Sequence, residues 1–158
     1  SQLRDEIPQF EQRFYLSEGE MLLSVGETDR ALKLYDESLQ ALPEDADLLY
    51  GRSLVYERSG KFEQAEKDLR EMIAKDPDDS RALNALGYML TVHTTRYEEA
   101  NKLISRALEL SPDDAAVMDS LGWVQFKLGK KAEARALLQA ALKLDPKFAD
   151  AKTELAKL

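Results

Sequence analysis

Residues 115–148, AAVMDSLGWVQFKLGKKAEARALLQAALKLDPKF, decide how the whole chain is read. Large and small apolar positions recur every three or four residues around Met118 and Leu121, and again around Ala134 and Leu138. Gly129-Lys130 separates the two runs and Asp145-Pro146 stops the second. Such a stretch predicts two antiparallel helices joined by a tight turn. It is one copy of several. Pro43, Pro77, Pro112 and Pro146 stand 34, 35 and 34 residues apart, and each closes a near copy of the same unit. An array of this kind buries its core between neighbouring hairpins and presents an extended surface. That points to holding other proteins rather than to chemistry on small molecules.

Working outward, the repeats are expected at 12–45, 46–79, 80–114 and 115–148, with turns at Gly26-Glu27-Thr28, Ser59-Gly60-Lys61, Thr94-Thr95-Arg96 and Gly129-Lys130. Residues 149–158 continue the pattern as a first helix without a partner, a capping helix over the open side of the last hairpin. Residues 1–11 read as the remnant of a preceding repeat, which makes the chain the distal part of a longer protein and leaves Ile7, Phe10 and Phe14 uncovered. That end is expected to favour a homodimer. The third repeat carries one extra residue within Val92–Tyr97, expected to bulge at the turn. Asp45, Asp78, Asp79, Asp113 and Asp114 follow the repeat prolines, where they suit the free N–H groups and positive dipole of the next helix.

Composition narrows the function by exclusion. Among 158 residues, 22 Lys and Arg oppose 30 Asp and Glu, a net charge of −8, which disfavours nucleic-acid phosphates and anionic lipid and favours basic or apolar protein partners. With no cysteine, thiolate nucleophiles, zinc ribbons and iron–sulfur clusters are out. His93 is the only histidine and reads as a solvated turn residue; no phosphate-binding glycine loop or calcium loop occurs. Neither catalysis nor a cofactor is expected.

The units resemble tetratricopeptide repeats. The family's pattern of a large residue, a Leu-Gly pair, an aromatic or large residue, then alanine, a large residue and proline runs through Met118, Leu121, Gly122, Gln125, Ala134, Leu138 and Pro146. It runs equally through Leu83, Leu86, Gly87, Leu90, Ala100, Ile104 and Pro112. The first repeat follows it with Gly19, Ala31 and Tyr35, the second with Ser53, Ala65 and Leu69, and Arg52 stands where leucine is usual. The resemblance implies an all-α, right-handed solenoid of four hairpins plus the capping helix, in which the small residues let paired helices approach closely.

It also implies a concave groove lined by first helices. Registered onto this sequence, the groove takes Tyr50 and Leu54 from the second repeat and Arg81, Asn84, Tyr88 and Thr91 from the third. The fourth supplies Asp119, Ser120, Trp123, Phe126 and Lys127. Aromatic anchors among mixed charge are what a peptide-binding groove needs; the alternative is that they only pack between neighbouring hairpins. Asn84 suits clamping a partner's backbone through its amide, or a solvated polar face. The basic clamp of some co-chaperones does not transfer, because its places hold Leu16, Glu20, Gly51, Arg81 and Ala85, of which only Arg81 fits.

More closely, Leu86-Gly87-Tyr88-Met89-Leu90, Thr94-Thr95-Arg96-Tyr97-Glu98-Glu99-Ala100 and Asp119-Ser120-Leu121-Gly122-Trp123 resemble the C-terminal repeats of proteobacterial outer-membrane tetratricopeptide lipoproteins. That resemblance implies a periplasmic adaptor bringing a carboxyl-terminal processing protease to its cell-wall hydrolase substrates. The alternative is a cytoplasmic assembly or spacer module that self-associates.

Overall fold

A computed structural model describes residues 2–158, with side chains from Pro8 onward. The described residues form an all-α fold of nine helices packed as sequential hairpins. They divide into two compact units, the first ending at Lys75 and the second running from Asp76 to Leu158.

The first unit holds α1 (Gln2–Ser24), α2 (Thr28–Ala41), α3 (Ala46–Arg58) and α4 (Phe62–Lys75). The stretch expected as a separate remnant, 1–11, does not end before the first repeat: α1 runs on through Pro8 without a break. Proline lacks one N–H and so forfeits one ladder bond, which here does not end the helix. Phe10 and Phe14 are exposed, as are Met21 and Val25 further along. The Ile7 side chain lies outside the described residues. The Tyr35 ring on α2 is only 2% exposed and lies between α1 and α3, reaching the backbone of both at Gly19 and Gly51.

Arg52 explains its own departure from the leucine usual at its place. Its Nε donates to Asp68 Oδ2 at 2.8 Å and its Nη2 to Oδ1 at 2.7 Å, so the guanidinium grips a buried carboxylate on α4 with two parallel bonds. Nη1 donates to Asp36 Oδ1 at 2.9 Å, and the guanidinium lies 5.6 Å from the centre of the Tyr56 ring. A leucine–apolar contact between the helices has been replaced here by an ion pair.

The second unit holds α5 (Ser80–His93), α6 (Tyr97–Leu110), α7 (Ala115–Lys127), α8 (Lys131–Leu144) and α9 (Ala149–Ala156). Close hairpin packing needs its glycines: a Cβ at Gly122 would meet Leu138 Cγ at 2.9 Å, and one at Gly87 would run into the Ile104 side chain. Ala100 and Ala134 are fully buried opposite them. Helix α9 packs on α7 and α8, where Ala151 joins Leu138 and Ala141 in a core flanked by Met118, Phe148 and Leu155.

Local chemistry sets the ends of these helices. Asp45 accepts from Leu48 N, Asp79 from Ala82 N and Asp114 from Ala116 N and Val117 N, the N-capping expected for the acidic residues after each proline. Asp78 does something else and pairs with Arg106 at 2.7 Å. Three hairpins turn through glycines at φ +80°, +74° and +81°, and the next residue's N–H reaches back five positions, as Lys130 N does to Gln125 O at 2.9 Å. The α5–α6 turn has no glycine. There the extra residue does not bulge; it lengthens α5 to 14 residues against 13 in α3 and α7, and the turn remains Thr94-Thr95-Arg96. Thr94 ends the helix with its own hydroxyl, which donates to Leu90 O and accepts from Arg96 N.

Candidate functional site

The groove residues expected from sequence fall on the first helices of both units. In the first unit, Tyr50 is half-buried and Leu54 exposed on α3. In the second, α5 presents Arg81 and Tyr88 exposed and Asn84 half-buried, while α7 presents Trp123 and Phe126 half-buried and Lys127 exposed. Thr91 and Ser120 were expected along the groove and are instead buried. Their hydroxyls donate to Gly87 O and Ala116 O one turn back, which leaves them self-satisfied and free to pack.

The second unit brings the most chemistry together. Trp123 and Phe126, three apart on one face of α7, stack with ring centroids 5.2 Å apart and planes inclined by 21°. Two ammonium groups sit 4.8 Å from the Trp123 ring centre, Lys127 Nζ from the same helix and Lys157 Nζ just beyond α9. Lys157 also pairs with Glu154 Oε1 at 3.4 Å. Nothing in the repeat pattern brings the C-terminal helix to this face. Residues 149–158 cap the apolar core as their pattern predicts, and α9 also reaches this face, with Ala151 inward and Glu154 and Lys157 toward the Asp119–Trp123 side.

Asp119, one turn before Trp123, is 5% exposed, and its Oδ1 is buried without a hydrogen-bond donor. Burial pushes its carboxyl up to about 7, and the negative charges of Asp150 and Glu154 on α9 add to the effect. Asn84 Oδ1, 35 residues earlier at the same place in the preceding repeat, and Glu154 Oε2 are likewise buried without donors. Each such acceptor costs on the order of 1–3 kcal/mol when left unsatisfied. Among the described residues no group of acidic or histidine side chains is arranged to hold a metal ion.

The raised Asp119 value has a definite sign. The folded chain keeps a proton that the unfolded chain releases at its ordinary value of 3.8, so stability falls as pH rises from there to about 7 and then levels off. At ~1.4 kcal/mol per pH unit the loss is at most about 4 kcal/mol. Urea midpoints at pH 5 and pH 8 capture about two-thirds of it, and Asp119→Asn should bring the two midpoints closer together. An unchanged gap in the variant would remove Asp119 as the source.

A family model for the tetratricopeptide repeat matches residues 22–87 and 94–158. Over 143 residues the chain is 45% identical to the TPR repeat-containing protein PA4667 of Pseudomonas aeruginosa, a match covering 90% of this chain and 24% of that protein's length. Among solved structures, that of PilF of Pseudomonas aeruginosa superposes with a TM-score of 0.85 at 26% identity, covering 95% of this chain and 68% of that one. TTC0263, a thermophilic TPR protein of Thermus thermophilus, superposes at 0.80 with 24% identity, covering 92% and 79%.

Proposed function

The chain belongs to the tetratricopeptide repeat family, whose members are protein-interaction scaffolds and typically not enzymes, and we propose that it holds a protein segment along the first-helix face of its second unit. The observation that carries this reading is the aromatic set on that face: Tyr88, 39% exposed on α5, and the stacked Trp123–Phe126 pair on α7. Half-exposed aromatics are rigid and costly to leave in water, and at interfaces they commonly contribute ~2 kcal/mol or more each. Replacing Tyr88, Trp123 and Phe126 together by alanine should reduce capture of the partner at least a hundredfold while leaving the helical circular-dichroism signal in place. Undiminished capture by the triple variant would move binding away from this face.

At a finer level, we propose a periplasmic adaptor, anchored to the outer membrane, between a carboxyl-terminal processing protease and its cell-wall hydrolase substrates. The motifs of the last two hairpins, which resemble the C-terminal repeats of such lipoproteins, support it. An acidic chain of net charge −8 suits partners with basic surfaces. Affinity capture from a proteobacterial envelope extract, with the triple variant alongside, tests both levels together. Retention of neither a protease nor a hydrolase would remove the finer reading.

Self-association is the second reading, and exposed Phe10, Phe14, Met21 and Val25 on and just beyond α1 favour it. Sedimentation that stays monomeric over a wide concentration range would exclude it.

A further inference from the structure

On three helices of the second unit a side-chain oxygen is buried with nothing donating to it: Asn84 Oδ1 on α5, Asp119 Oδ1 on α7 and Glu154 Oε2 on α9. Gln125 Oε1 on α7 is buried in the same way, but its amide is already committed through Nε2 to Asn101 on α6, at 2.8 Å. Each of these oxygens can accept a hydrogen bond, and Glu154 lies close enough to Asp119 for its charge to act on that carboxyl. Asp119 is a buried carboxyl group whose charged neighbours, Asp150 and Glu154, are both acidic, so a cation placed beside it would favour its ionised form. One turn along, the Trp123 face already draws two cations, with Lys127 and Lys157 each 4.8 Å from its centre. Both observations ask for the same thing, a cation rich in N–H donors. No metal fits the described side chains. An arginine does, because its guanidinium offers five donors in one plane, sheds water more readily than an ammonium, and stacks on aromatic rings.

Resting on the groove reading above, we propose that this face takes an arginine side chain of the bound protein segment, its guanidinium donating to the acceptors around Asp119 and its plane lying against Trp123. Lys157 is the internal competitor. Among the described residues its ammonium is held by the Trp123 ring and by Glu154 Oε1 at 3.4 Å, and an incoming guanidinium displaces it from both.

Trp123 is the only tryptophan in the chain, so its indole N–H resonance reports the site without ambiguity. The probes are N-acetyl-arginine amide and N-acetyl-citrulline amide, which match in shape and differ in charge, titrated into the whole chain. Arginine amide should move the indole signal saturably and citrulline amide should not. Asp119→Asn, nearly isosteric, should weaken arginine binding about tenfold or more, and Lys157→Met should tighten it. Equal responses to the two probes, no response to either, or full affinity in Asp119→Asn would each overturn the proposal. A small probe read at one ring does not depend on capture, so its failure leaves aromatic-dependent capture standing. Failure of capture in the triple-variant experiment would show itself separately.

Discussion

Arg52→Leu, although it installs the residue usual at that place in the repeat, is expected to destabilise the first unit by about 3–5 kcal/mol. The reason lies in Asp68, whose side chain is 3% exposed and whose two oxygens both receive Arg52 donors. Burial raises the Asp68 carboxyl and Arg52 opposes that rise, while the pairing holds the guanidinium above its already high ordinary value. Removing the arginine strands a carboxylate that water cannot reach. The loss should therefore be smaller at pH 5 than at pH 8, because Asp68 then takes up a proton at less cost. The double variant Arg52→Leu/Asp68→Leu should recover most of the stability, since an apolar pair of similar volume often equals a buried ion pair. Urea unfolding of the two singles and the double gives the coupling energy directly. A single variant within about 0.5 kcal/mol of the parent would mean the pair contributes nothing.

Tyr35→Ala should cost the first unit about 3–5 kcal/mol, the usual penalty for emptying a large aromatic site. The more discriminating result is a reversal of sign at Gly51. A Cβ there would lie 2.6 Å from Tyr35 Cζ, and the buried ring has little room to retreat, because its other edge already lies close against the backbone at Gly19. In the parent chain, Gly51→Ala is thus an overpacking change costing about 1–3 kcal/mol. With Tyr35 already alanine the obstruction is gone. Gly51→Ala should then gain up to ~1 kcal/mol from helix propensity. Denaturant midpoints for the four-member cycle test this, and a Gly51→Ala effect of the same sign in both backgrounds would mean that Tyr35 does not wedge α1 and α3 apart as described.

Much of the fold is readable in advance because its determinants are local. The hairpin periodicity, the glycine turns and the aspartates after each proline act within a few residues of where they are written. Asp45, Asp79 and Asp114 cap the helices they precede. The third turn departs from expectation for the same reason in reverse: an inserted residue can be added to a loop or to a helix, and the choice depended on Thr94 supplying its own cap. On the first-helix face of the second unit, the register puts Trp123 and Phe126 on one side of α7, and spacing alone is enough for that.

What the sequence determined by itself is the repeat: its length, its helices, the small residues where helices meet, and the family those features belong to. These follow from propensity, periodicity and steric size, which travel with the chain. Tertiary structure alone decided which charges lose their water. Arg52 looks like a deviation until Asp68 is buried 16 residues away against it. Asp119 looks like any surface aspartate until α9 brings Asp150 and Glu154 beside it and Lys157 onto Trp123. Desolvation and Coulomb energy depend on what packs across a gap, and no spacing along a chain states that distance.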